Sequence, residues 1–271
     1  MAMQLGISTA SLNGKMNTED ALAWIGRSGV DCAEVFLTTF CEYREPFARV
    51  LADVQRETGV RVSSMHTLNT QYEGQLFSFS QRQRDDAFAL LESALRVGSA
   101  VGAQCYVLHG PAQIKYMKYH TNYENFARRS EQIAELCGQY GMKLTWETVH
   151  WAHYNHPDFI DRLAQHTDRP LYTTLDIKQA MQSGCDYMEY LRHMAGGRLQ
   201  NVHICDFDEE GSLCLPLKGQ VDFAFLFEQL RRIGYDGAVM LEVYDHCFRH
   251  PDELLESYHA LKQLMAEVNA K

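Results

Sequence analysis

Four residues stand near the ends of four β-rich runs: Glu147 in TWE, Asp176 in TTLD, His203 in NVHICD and Glu242 in VMLE. A carboxylate in an apolar strand is costly. Burying even a neutral polar group without a partner costs on the order of 2–7 kcal/mol. Three carboxylates held side by side would also repel one another and raise each other's pKa. A shared divalent cation removes both problems. Three carboxylates and one imidazole suit Mn²⁺, Mg²⁺, Co²⁺ or Zn²⁺, with positions left for substrate or water. The chemistry such a centre supports is polarisation of a carbonyl or hydroxyl oxygen.

That reading requires the four runs to be neighbours, and the spacing supplies this. Eight β-rich runs are expected, at 4–9, 32–37, 60–67, 104–110, 143–149, 171–177, 200–206 and 238–244. Amphipathic segments separate them, at the period of one βα unit. In the segment 85–101, for example, Phe88, Leu91, Leu95 and Val97 recur near helical spacing. Thr18 followed by Glu19 and Asp20 reads as the capped, acidic start of the first helix. Gly29, Gly59, Gly102, Gly141 and Gly234 each precede a run and read as helix stops. No G-x-G-x-x-G follows the first run, which argues against a doubly wound dinucleotide-binding sheet. The expected fold is α/β, a single (β/α)₈ TIM barrel over 1–271, with reactive groups at the C-terminal ends of its strands.

Other strand ends carry polar groups too. Glu34 lies on the second run, and His66 and His109 close the third and fourth. His66 and His109 are read as pocket residues, the alternative being packed core histidines. Trp146 should face away from Glu147, toward the helices, because neighbouring side chains on a strand alternate. Asp222 reads as a helix cap. The loop 150–156, with three histidines and two aromatics, and the loop 114–120 could close over a pocket. Aromatic faces with polar tips suit a sugar or aryl ring. Lys178, Lys218 and Arg249 are too scattered for a phosphate site, so an unphosphorylated substrate is expected.

Bulk properties bound the function. The net charge is −10, which repels phosphate backbones, so no nucleic acid partner is expected. None of the eight cysteines forms a C-x-x-C pair, and reduced thiols are expected. No apolar run approaches the ~20 residues of a membrane span, and no leader pattern opens the chain. A cytoplasmic protein that does not engage membranes is expected.

At TWE (145–147), LDIKQ (175–179), NVHICD (201–206) and the block GQVDFAFLFEQLRRIGYDGAVMLE (219–242), the chain resembles the xylose isomerase-like barrel superfamily. That superfamily includes sugar isomerases, epimerases and apurinic endonuclease-type proteins. The resemblance implies that Glu147, Asp176, His203 and Glu242 hold one divalent metal, with Mn²⁺ the first choice. It also implies that Glu147 and Glu242 form the acid/base pair. The implied reaction is isomerisation or epimerisation of a keto-sugar by proton abstraction next to a carbonyl, through a metal-stabilised enediolate.

Three positions depart from the free-ketose epimerases. His153 stands where they have Glu, Gln179 where they have His, and Glu209 where they have Arg. The substrate-binding set expected here is His66, His109, His153, Lys178 and Gln179. Of these His66, His109, His153 and Lys178 are alternative bases. The additional zinc positions of the endonuclease branch are only partly present. Two alternatives stay open: a lyase on the same metal (a cyclitol or dehydroshikimate dehydratase, or a C-glycoside-cleaving subunit), and a non-catalytic sugar-binding barrel. A homo-oligomer is compatible with the resemblance.

Overall fold

The computed structural model describes residues 3–113 and 120–270. Eight parallel strands close into a barrel: β1 (Gln4–Ser8), β2 (Cys32–Leu37), β3 (Arg61–Thr67), β4 (Cys105–Leu108), β5 (Lys143–Glu147), β6 (Tyr172–Asp176), β7 (Leu199–Ile204) and β10 (Ala238–Leu241). A short antiparallel hairpin, β8 (Asp206–Phe207) with β9 (Leu213–Cys214), sits between the last two. The helices are α1 (Thr18–Arg27), α2 (Glu45–Thr58), α3 (Glu73–Leu76), α4 (Gln81–Ala100), α5 (Tyr123–Gln139), α6 (Phe159–Ala164), α7 (Ile177–Gln182), α8 (Tyr187–Met194), α9 (Phe223–Arg232) and α10 (Pro251–Asn269). The chain is therefore a (β/α)₈ barrel, and each expected run contains one barrel strand. Four strands, β4, β5, β7 and β10, stop two or three residues short of the expected end. The residues beyond them, such as Glu242, belong to the loops of the C-terminal face.

Helix–strand packing follows the apolar spacing. Leu91 and Leu95 of α4 and Leu254, Tyr258 and Leu261 of α10 are fully buried. Each such side chain contributes roughly 1.5–3 kcal/mol through burial. The five helix-stop glycines all adopt left-handed backbone, with φ between 72° and 77°. Asp222 caps α9, its carboxylate accepting the N–H of Phe225. Thr18 does not cap α1; Asn17 occupies that position. The Thr18 hydroxyl instead donates to Glu42 Oε1 at 2.9 Å and to the Phe36 carbonyl at 3.1 Å, tying α1 to the end of β2.

Alternation on β5 is the relationship that positions the site. Trp146 faces outward and is buried against Phe77, Phe126 and Phe159. Its indole N–H donates to Ser130 Oγ of α5 at 3.1 Å. Glu147, one residue on, therefore points into the barrel. Among the described residues, no helix is long and apolar enough to cross a membrane.

Candidate metal centre and its surroundings

Strand register brings the four expected ligands together. Asp176 on β6 pairs with His203 on β7, His203 pairs with Met240 on β10, and Glu147 on β5 pairs with Thr174 on β6. Glu242 follows β10 directly, and its N–H is held by the Ile204 carbonyl. One ligand atom from each of Glu147, Asp176, His203 and Glu242 lies within 4.8 Å of the others.

The hydrogen bonding divides the carboxylate oxygens into two sets. Glu147 Oε1 lies 2.9 Å from His203 Nδ1. Asp176 Oδ1 accepts the Gln179 N–H at 3.1 Å, and Glu242 Oε1 accepts from Lys178 Nζ at 3.3 Å. The opposite oxygens, Glu147 Oε2, Asp176 Oδ2 and Glu242 Oε2, are buried and have no partner in hydrogen-bond geometry. Each instead lies 2.9–3.2 Å from a basic nitrogen, of His109, Lys178 or His203, and such a set of carboxylate oxygens beside an imidazole suits positive charge, so these residues fit a divalent cation.

Protein cations already stand among these acids. Lys178 is buried, with Nζ 3.1 Å from Asp176 Oδ2 and 4.9 Å above the Tyr244 ring. Burial pushes the Lys178 pKa down, but Asp176 and Glu242 outweigh it and hold the ammonium well above its ordinary value. Burial likewise disfavours the His203 imidazolium, and Glu242, Glu34 and Glu147 together reverse that and raise its pKa well above 6.5. Asp176 is pushed up to about 6, first by burial, with Lys178 opposing and Glu147 and Glu242 adding.

His109 extends the site on the β4 side. Its Nε2 lies 3.2 Å from Glu147 Oε2 and its Nδ1 3.3 Å from Glu73 Oε2. Burial lowers its pKa, but Glu73 and Glu147 outweigh this and raise it to about 9. Glu73 was not legible as a site residue. It begins the short helix α3, and its Oε2 accepts the N–H groups of His109 and Gly110 at 3.0 and 3.1 Å. Nothing in its local sequence announces this, because the contact joins two separate loops. Trp151 stacks on His109 with centroids 5.9 Å apart, so one aromatic of the 150–156 loop does reach the site.

His66 also faces the barrel interior. It lies 3.4 Å from Glu34 Oε1, stacks obliquely on His109 and Phe36, and has neither ring nitrogen in a hydrogen bond. Glu34, His66 and Glu242 form a second grouping with ligand atoms within 4.8 Å. The period-two pattern of β2 could have placed Glu34 in this set, since residues two apart on a strand share a face.

Two expected substrate residues are placed elsewhere by the contacts the structure records. His153 Nδ1 lies 2.9 Å from Thr121 Oγ1, and its ring packs on Phe126 of the outer layer. Gln179 is turned toward His150, whose N–H and Nδ1 both meet its Oε1. Glu209 is exposed in the β8–β9 turn. Of the 114–120 loop, residues 114–119 lie outside the described residues.

Comparison with known proteins places this geometry. The family profile described as xylose isomerase-like TIM barrel matches residues 22–264. A D-tagatose 3-epimerase-like protein superposes with a TM-score of 0.81 at 18% identity, over 99% of both chains. A 3-keto-D-glucoside 4-epimerase from E. coli superposes with a TM-score of 0.75 at 19% identity, covering 96% of this chain and 99% of that one. Both likenesses are of fold. Among curated proteins, inosose dehydratase of Geobacillus kaustophilus (strain HTA426) is 26% identical over 151 residues, 48% of this chain and 49% of the relative. The chain thus spans about half the length of that relative.

Proposed function

Because the chain belongs to the xylose isomerase-like TIM-barrel family, we propose that its strand-end acids carry out metal-dependent isomerisation or epimerisation of a keto-sugar. One observation carries the reading: Glu147 Oε1 and Glu242 Oε2 each lie 2.9 Å from the same atom, His203 Nδ1. Two carboxylates reach one point from opposite flanks, since β6 and β7 lie between their strands. A proton can leave one face of a carbon next to a carbonyl and return to the other.

Glu147, Asp176, His203 and Glu242 would hold the cation, for which Mn²⁺ is our choice. When bound, it supplies positive charge that polarises the substrate carbonyl and stabilises the enolate oxygen. Glu147 takes the proton from the carbon, and Glu242, 13% exposed at the mouth of the site, returns one to the opposite face. His109 orients the Glu147 carboxylate from its far side. Lys178 holds Glu242 Oε1 in place. His66 and Trp151 line the approach for sugar hydroxyls and ring faces. The two sugar epimerases that share the fold support this substrate class.

A second reading is favoured by the inosose dehydratase relative and by His109 standing beside Glu147. It is a lyase in which the same proton abstraction is followed by loss of water. The test is incubation of Mn²⁺-loaded protein with ketohexoses, 3-keto-glucosides and inososes in D₂O, read by mass spectrometry. Gain of one deuterium at constant composition supports the epimerase, and loss of water supports the lyase. Neither change with any of these compounds, in protein shown to hold the metal, overturns both.

A further inference from the structure

A fifth buried acid acts on this centre without belonging to its ligand set. We propose that Glu34 is a positioning residue for His203: it accepts the proton on Nε2, so that Nδ1 is the ring nitrogen that faces the acid cluster and would bind the cation. The inference rests on the metal reading given above. Glu34 lies on β2, fully buried at 0% exposure, where the pairing with β3 shifts register between Ala33 and Glu34. Such an irregularity re-aims a side chain. Here the carboxylate crosses the barrel to β7, three strands away around the ring.

The contacts of Glu34 Oε2 explain how it orients His203. Its Oε2 accepts from Ser64 Oγ at 2.7 Å and from Asn201 Nδ2 at 2.9 Å, and it lies 3.0 Å from His203 Nε2. That oxygen is therefore committed to the protein. Asn201 Nδ2 also lies 3.0 Å from His203 Nε2. Glu34 and Asn201 thus hold the same edge of the ring. With a cation on Nδ1 the one remaining ring proton sits on Nε2, where Glu34 would accept it. A hydrogen bond from N–H to a carboxylate is among the stronger kinds. Across the ring, Nδ1 meets Glu147 and Glu242, both at 2.9 Å. A carboxylate behind a ligand imidazole sets ring orientation and basicity, and losing it lowers metal affinity about 10–100-fold.

Two measurements test this, neither of which reads turnover. The first uses ¹⁵N-histidine-labelled wild type loaded with Zn²⁺, in which ring nitrogen shifts and two-bond couplings report the His203 tautomer. A protonated Nε2 with Nδ1 bound to the ion is expected; a protonated Nδ1 overturns the proposal without recourse to any variant. The second compares Zn²⁺ affinity of wild type and Glu34→Gln by calorimetry, with urea unfolding of both apo-proteins as the check on folding. A folded Glu34→Gln that binds 10–100-fold more weakly is expected. Equal affinity overturns the role of Glu34 alone. A wild type that takes up no Zn²⁺ overturns the metal reading and this role with it.

Discussion

His109 Nε2 lies 3.2 Å from Glu147 Oε2, and the opposite edge of the same ring faces Glu73. The imidazole therefore bridges two buried acids from different loops. Glu73 also accepts from Tyr106 Oη at 3.0 Å in addition to two main-chain N–H groups. Glu73→Ala would leave the two main-chain N–H groups without an acceptor, at a cost of about 1–3 kcal/mol for each group left unpaired, while Tyr106 keeps Thr67 and Tyr72 as partners. We expect a clear drop in the urea midpoint for Glu73→Ala and a smaller one for Glu73→Gln, which keeps one acceptor oxygen. Equal midpoints for wild type and Glu73→Ala would show that the network carries no stability.

We expect metal binding at the acid cluster to be stabilising. A cation at 100 times its dissociation constant adds about 2.7 kcal/mol to folding stability. Adding Mn²⁺ or Co²⁺ to chelator-treated wild type should raise the melting temperature, and elemental analysis should find near-stoichiometric ion. Both effects should disappear in Glu147→Ala and His203→Ala. An unchanged melting curve and an empty wild type would contradict the assignment.

Removing one acid/base group should affect catalysis much more than folding. Glu147→Gln preserves shape and replaces a single oxygen. Loss of a positioned proton acceptor typically costs 10²–10⁴ in rate. We expect a fall of about that size in kcat, measured as deuterium exchange into a turned-over keto-sugar. Wild-type exchange in Glu147→Gln would move the base elsewhere, with His109 the nearest candidate.

Gly110, two residues beyond β4, has φ +76°, and a Cβ there would sit 2.6 Å from Trp146 Cζ3. Gly110→Ala meets both left-handed strain, roughly 1–2 kcal/mol, and a clash with a buried ring. Its N–H is also one of the two that Glu73 accepts. Calorimetric melting should show a lowered transition temperature and weakened coupling of Glu73 to stability. A neutral Gly110→Ala would mean that the β4 end can shift freely.

Cys247 offers a pH prediction. The neighbouring Cys205 thiol, more than any other group, lowers its thiol from 9.0 to about 7, with burial opposing. A depressed thiol pKa places the reactive thiolate above that value and the inert thiol below it. Burial pushes Cys32 and Cys105 the other way, to about 12. Iodoacetamide should therefore label Cys247 before these two, with a midpoint near pH 7, and Cys205→Ala should move the midpoint upward. Labelling of Cys247 that only begins near pH 9 would contradict the contact.

The barrel and its four-residue acid–imidazole set were legible because both are written locally. Each of the four residues stands near the end of a β-rich run, and a closed parallel barrel makes successive strand ends neighbours. Trp146 and Asp222 were legible for the same reason, through alternation and capping. Glu73 was not, since its partners His109, Gly110 and Tyr106 are more than thirty residues away and only the closed barrel joins them. The turning of His153 toward Thr121 and of Gln179 toward His150 also depends on how two loops pack. Spacing from a ligand gives proximity along the chain and leaves side-chain direction open.

Lys178 gives the centre a different kind of significance. Its ammonium stands between Asp176 and Glu242, and the His203 imidazole stands between Glu147 and Glu242. The acids are thus partly neutralised by the chain itself before any ion arrives. In small metal-stapled domains the ion is a condition of folding. In this barrel we expect the reverse: with Lys178 and His203 already offsetting the acids, chelator-treated protein should stay folded, and its circular dichroism should match that of the metal-loaded protein.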